Sequence, residues 1–124
     1  MRVITGYAQG QDGGAALVTI DGAPLGLPLL RRDEARHSPD GFQWGYAGSG
    51  PAELARAILM ALYPNNPEVR EPGCYQRFKA DIIQRLPRAG FSLSSDEVDS
   101  WYRSWSAWAD RRATGAREMG EADA

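Results

Sequence analysis

The chain has 124 residues, 14 basic against 16 acidic side chains and a net charge of −2, with 43% hydrophobic and 24% charged residues. That is the length of one domain and the composition of an ordinary soluble protein with enough apolar material for a single core. The acidic balance argues against a sequence-independent hold on duplex nucleic acid or an anionic membrane, because both need several cations on one face.

A lone cysteine, Cys74, cannot form an intramolecular disulfide and fits a reducing cytoplasm. No apolar run resembles a secretory leader or a membrane span. Of the 14 basic residues only Lys79 is a lysine, so cationic chemistry here means guanidinium chemistry.

In chain order, Arg2 to Ala8 and Ala15 to Ile20 carry short apolar strand signals. Gly10, Gly13 and Gly14 lie between them, as a hairpin loop requires. Asp21-Gly22 is a tight-turn pair. Leu25, Leu27 and Leu29 alternate after it, which predicts an edge strand because Pro24 and Pro28 lack amide donors. Phe42, Trp44 and Tyr46 alternate again and run into Gly45, Gly48, Ser49, Gly50 and Pro51, a strand entering a helix through a glycine turn.

Ala55, Ile58, Leu59 and Leu62 form one stripe on a first helix starting at Pro51. A second is predicted over 73–86, with Tyr75, Phe78, Ile82 and Leu86 inward and an Asp81–Arg85 pair on its surface. The third opens with the strongest local signal in the chain. Ser94 and Glu97 fit a capping box, Leu93 and Val98 a hydrophobic staple, and Asp96, Glu97 and Asp99 load the first turn. Val98, Trp101, Tyr102, Trp105 and Trp108 follow at helical spacing. The predicted fold is α+β: a small antiparallel sheet from the first forty-six residues, then three helices. Residues 1–113 form a single domain, and the polar tail 114–124 is expected to be disordered.

Three constellations carry candidate chemistry. Gly48, Ser49 and Gly50 can hold a phosphate or carboxylate against the free amides of Ala52, Glu53 and Leu54, or can simply be a tight connection. The order Gly-x-x-Gly-x-Gly is not the dinucleotide fingerprint, and no P-loop lysine follows. Trp105 and Trp108, with Arg112 one turn beyond, form either core or a docking face for a larger protein partner; Trp101 is expected in the core. His37 and Cys74 are the only residues able to make a thiolate–imidazole pair, and their unrelated contexts assign them instead to a loop and to packing. No catalytic residue, metal site or cofactor is expected, since one His and one Cys leave carboxylates to supply every other ligand.

The stretches FQWGYAGSGPAELARAIL and YQRFKADIIQRLPRAGFSLSSDEVDSW resemble the uncharacterised domain-of-unknown-function family 6166. Its members share an aromatic-Trp-Gly-Tyr-Gly-Gly-Ser-Gly-Pro turn and a later Leu-Pro-x-x-Gly-Phe segment before a helix ending in Trp. The resemblance spans Gly6 to Trp101. Ala47 stands where the family has the first glycine of its pair, so that position is not expected to need positive φ. Occurrence of the family in bacteria, archaea, plasmids and phages implies a small accessory protein rather than a metabolic enzyme. The implied function is a non-enzymatic cytoplasmic interaction module, in one concrete form an inhibitor of a host nucleic-acid defence complex of the anti-CRISPR kind. The alternative is a phosphate- or nucleotide-binding module using the glycine turn.

Overall fold

The computed structural model of the protein describes residues 1–7, 16–30, 32, 34–37 and 41–122, with side chains through residue 113. The predicted α+β class holds. Strands β1 (Val3–Tyr7), β2 (Leu17–Ile20) and β3 (Ala23–Pro24) precede helices α1 (Ser49–Leu62) and α2 (Pro72–Asp81), and strand β4 (Gly90–Ser94) leads directly into α3 (Ser95–Ala122). Short 3₁₀ turns at Pro67–Arg70 and Ile83–Arg85 follow α1 and α2. The sheet is antiparallel in the order β3-β2-β1-β4.

Asp21 and Gly22 close the β2–β3 hairpin with φ of 51° and 83°, the paired left-handed geometry that suits the twist of a two-residue turn. The Asp21 carboxylate also accepts the Val3 amide (2.9 Å) and the Arg2 Nε (3.0 Å). Those two donors, the amide first, hold its pKa below the usual carboxylate value. Pro24 sits opposite Thr19, while the flanking amide of Leu25 bonds to the Val18 carbonyl at 2.8 Å. Its missing donor therefore faces away from β2.

Two expected strands do not form. After Pro24 the chain leaves the sheet, and Leu27 and Leu29 are exposed. With Pro24 and Pro28 in six residues, the segment cannot sustain a ladder. Phe42 and Trp44 are buried and Gln43 is exposed, so the alternation is real, but it records burial rather than pairing. Trp44 Nε1 donates to the Pro87 carbonyl (2.9 Å) and the Gly45 amide to the Ile83 carbonyl (3.1 Å).

Sequence reading also placed every strand before the helices, and β4 corrects that. Gly-Phe-Ser-Leu-Ser has period two, with Phe91 and Leu93 buried and Ser92 exposed. It pairs with β1 from Val3↔Ser94 to Tyr7↔Gly90. Phe91 lies over Gly6, where an added Cβ would fall within the ring, and meets Trp44 edge-on at 5.0 Å.

Helix α1 is the centre of the fold: every residue from Gly50 to Leu59 is buried, not just one stripe. The second helix is shorter than predicted, ending at Asp81 before a 3₁₀ turn. Asp81 consequently pairs back with Arg77 (3.1 Å) and accepts Trp101 Nε1 (2.9 Å), instead of pairing forward with Arg85. The capping box at α3 forms reciprocally, Glu97 amide to Ser94 Oγ (3.1 Å) and Ser94 amide to Glu97 Oε2 (3.0 Å), with Leu93 and Val98 buried beside it. The backbone of α3 continues to Ala122, while the side chains of the expected tail, 114–124, lie outside the described residues. Among the described residues no helix is long and apolar enough to cross a membrane.

Three substitutions test this architecture by denaturant melts. Gly6→Ala forces Phe91 off its seat and is expected to cost about 1–3 kcal/mol, whereas Gly26→Ala, with open space around the added carbon, stays within about 0.5 kcal/mol. Ser94→Ala removes the α3 cap and costs about 1 kcal/mol.

Candidate partner-binding face

The third helix divides into an anchored half and an exposed one. Trp101 packs on Phe78 with ring centres 4.9 Å apart and donates to Asp81. Tyr102 lies against Tyr63 at 5.1 Å, donates to Glu68 Oε1 (2.9 Å) and accepts Asn66 Nδ2 (2.7 Å). Tyr63 in turn donates to Asp99. Its hydroxyl pKa is raised, first by burial and then by that carboxylate. Aromatic bodies and polar tips are thus both satisfied across the first two turns of the helix.

The next turns lose this support. Trp105 stacks nearly parallel to Trp101, with ring centres 6.1 Å apart, and its indole N–H is buried with no partner among the described residues. Trp108 is 48% exposed. The Arg112 guanidinium lies 5.1 Å from the centre of its ring, the i+4 stacking expected from the spacing. Between these rings and α2 runs a groove of about 250 Å³ lined by Arg77, Asp81, Trp101, Ser104, Trp105 and Trp108. Arg77 and Ser104 were not singled out from the sequence. Arg77 became a neighbour of the tryptophans only when α2 packed beside α3, whereas Ser104 shares their face of α3, three residues after Trp101 and four before Trp108.

At the glycine turn the structure reassigns the donors. Helix α1 begins two residues before Pro51, and the Ala52 amide already bonds to the Gly48 carbonyl at 3.1 Å. The amides of Glu53 and Leu54 therefore fall within the i−4 ladder, and those without an intrahelical acceptor are Ser49 and Gly50, Pro51 having none. Gly48 is extended (φ 172°), Gly45 takes φ 86°, and Ala47 has no positive φ, as its substitution implied. A Cβ at Gly50 would lie 2.8 Å from Gln43, and one at Gly48 the same distance from the Tyr46 ring. Arg88 stacks 5.1 Å from the centre of that ring.

Glu53, one turn into α1, does not face the turn. It is 0% exposed and accepts Arg36 Nη1 (2.9 Å) and Arg56 Nη2 (2.6 Å). Sequence reading missed this cluster because Glu and Arg three apart on a helix ordinarily mark its wet surface. His37 Nε2 and the Tyr75 hydroxyl are 2.6 Å apart, so the histidine pairs with the residue next to Cys74. Burial, then the Arg56 charge, lowers the His37 pKa. Cys74 is buried, and its thiol is pushed up to about 12, mainly by desolvation. Among the described residues no group of three or more His, Cys, Asp and Glu side chains is placed to hold a metal ion.

The chain belongs to a family of unknown function, DUF6166, whose model matches residues 6–104. No curated protein and no solved structure matches it.

The Cys74 environment makes a direct prediction. Folded protein at pH 8 is expected to resist thiol-specific disulfide reagents, while the denaturant-unfolded chain reacts completely. Between its unfolded value near 9.0 and about 12 the folded state keeps a proton that the unfolded chain releases, so stability falls as pH rises through that window. Rapid native-state reaction at pH 8 would contradict the burial of this thiol.

Proposed function

We propose that this family member is a non-enzymatic cytoplasmic interaction module that docks on a larger protein through the distal face of α3, with Trp105, Trp108 and Arg112 as contact residues. The observation that carries this reading is the half-exposed Trp108 at the edge of an aromatic groove, next to a tryptophan whose N–H lacks an acceptor among the described residues. Exposed tryptophan and arginine around a groove are the residue types in which binding energy concentrates. The chemistry of the walls defines the partner: an apolar side chain to enter between the rings and a carboxylate to meet Arg112. The narrower form, inhibition of a host nucleic-acid defence complex through such a contact, follows the expectation drawn from the family resemblance.

Direct duplex binding is not part of the proposal. Arg2, Arg36, Arg56, Arg70 and Arg77 are paired with carboxylates, and Arg88 and Arg112 are stacked on aromatic rings. No gel shift with duplex DNA is expected at physiological salt. Micromolar binding that weakens steeply as salt rises would count against this reading.

A second reading rests on the Ser49 and Gly50 amides at the start of a 14-residue helix, a donor pair suited to phosphate or a nucleotide. There, phosphate or a mononucleotide raises the melting temperature by mass action, and Gly48→Val removes that gain.

The decisive test of the α3 face is paired. Trp108→Ala is expected to leave stability within about 1 kcal/mol and to abolish capture of the partner or, in the narrower form, inhibition of the defence complex. Trp101→Ala, which removes packing on Phe78 and the bond to Asp81, costs about 3–5 kcal/mol. If the two variants unfold alike, the distal tryptophans are core and the proposed surface does not exist.

A further inference from the structure

The two edges of the sheet are built differently. On one side β3 is two residues long and carries Pro24, whose missing donor faces outward, so a further strand finds little to pair with. On the other side β4 runs for five residues with no proline and no charged side chain, and its Ser92 is exposed. Its register with β1 is unbroken from Val3↔Ser94 to Tyr7↔Gly90, so no bulge turns it aside. A charge, a proline or a bulge is what ordinarily keeps an edge strand from pairing, and β4 has none of them.

The hydrogen bonds fix which way the β4 backbone points. The Ser95 amide donates to the Arg2 carbonyl (2.8 Å) and so faces the β1 side. Alternation then turns the amides and carbonyls of Phe91 and Leu93 toward β1, and those of Gly90, Ser92 and Ser94 outward. Two of the three outward amides are already in use: Gly90 donates to the Pro87 carbonyl (3.1 Å) and Ser94 to Glu97 Oε2 (3.0 Å). Among the described residues nothing accepts from the Ser92 amide, and no donor reaches the carbonyls of Gly90, Ser92 or Ser94.

We propose that this edge seats a second copy of the chain, β4 against β4 in antiparallel pairing about a twofold axis at Ser92. With Ser92 opposite Ser92, the two copies exchange N–H···O=C bonds in both directions. Phe91 then stands across from Leu93 and Gly90 from Ser94, so every strand residue is opposed. Charge selects the same register. Arg88 lies two residues before the strand and Asp96 two residues after it, and both are exposed. The twofold brings Arg88 of each copy to Asp96 of the other, once at each end, whereas a slip along the strand separates them. The result is one eight-stranded sheet, four strands from each copy, with the Pro24 edge at both outer ends. Association therefore closes at the dimer instead of running on into a filament. Trp105, Trp108 and Arg112 take no part, so this interface stands or falls independently of the α3 face.

The experiment is sedimentation equilibrium of the full-length protein from about 10 µM to about 1 mM, where a self-associating chain shows a mass that rises with concentration. Wild type is expected to approach twice the monomer mass. Ser92→Pro removes the outward amide alone, leaves the ladder to β1 untouched, and is expected to weaken the dimer about tenfold or more. Its melting temperature at the lowest concentration is expected within about 5 °C of wild type. Should the proline disturb folding, Arg88→Glu supplies a second reading. It sets like charges across the axis and is expected to weaken the dimer about threefold or more, and Asp96→Arg added to the same chain restores it. A wild-type mass that stays monomeric throughout overturns the proposal, as does a dimer that survives in folded Ser92→Pro. It is equally overturned if Asp96→Arg brings no recovery to Arg88→Glu, or if Trp108→Ala dissolves the dimer and Ser92→Pro does not.

Discussion

The structure depends on how a stretch of chain with no sheet partner satisfies its own backbone. Between β3 and α1 the described residues form neither helix nor strand, yet Pro28 is buried and Glu34, Arg36 and His37 are partly covered. Carbonyls taken out of water need donors. Arginines supply them: Arg36 to the Pro28 carbonyl (2.9 Å), Arg70 to that of Leu29 (2.9 Å) and Arg56 to that of Ala35. Each guanidinium also grips a carboxylate, Glu53 or Glu34. A planar fork with five donors can do both at once, which an ammonium cannot do in fixed geometry. The excess of arginine over lysine in this chain therefore has a structural use at these three positions.

This arrangement also explains which parts of the fold were legible in the sequence. The α3 start was readable because a capping box is local: Ser94, Glu97, Leu93 and Val98 interact within six residues and little else can override them. The Asp21-Gly22 turn was readable for the same reason. Leu25–Leu29 and Phe42–Tyr46 misled because alternation reports which side is buried, and an extended segment can be buried on one side without a strand beside it. For Trp44, the partners are the Pro87 carbonyl and Phe91, more than forty residues away. Strand β4 had the same period in Phe91, Ser92 and Leu93, but its position between a helix stop and a helix cap disguised it. Only pairing with β1, a contact across the whole length of the fold, makes it a strand.

The candidate sites show the same division. Arg112 stacking on Trp108 follows from i+4 spacing and was readable. Arg77 and Asp81 joined the groove through tertiary packing, and nothing in their local sequence marked them, whereas Ser104 reaches it by helical spacing from Trp101 and Trp108. Glu53 and Arg56 were visible as a helix pair, but their burial was not, because it depends on cover from the segment before α1 and from α2. Cys74 is held as a thiol by burial, and His37 is paired with a tyrosine hydroxyl.

The boundary of the family match gives the last step. It ends at residue 104, between Trp101, which donates to Asp81 and packs on Phe78, and Trp105, whose N–H is without a partner among the described residues. Within the matched region, aromatic side chains on α3 find both packing and hydrogen bonds in the body of the domain. Beyond it the same stripe continues to Trp108, but the body no longer follows, and the ring is left half exposed under Arg112. A helix that needed only to close the core could stop after Trp105, since Val98, Trp101, Tyr102 and Trp105 already pack into it. Continuing the stripe to Trp108 leaves a large ring half exposed, at a cost in solubility. On the proposed reading the gain is a partner: the shared region builds a scaffold, and the continuation of its third helix carries what is particular to this protein.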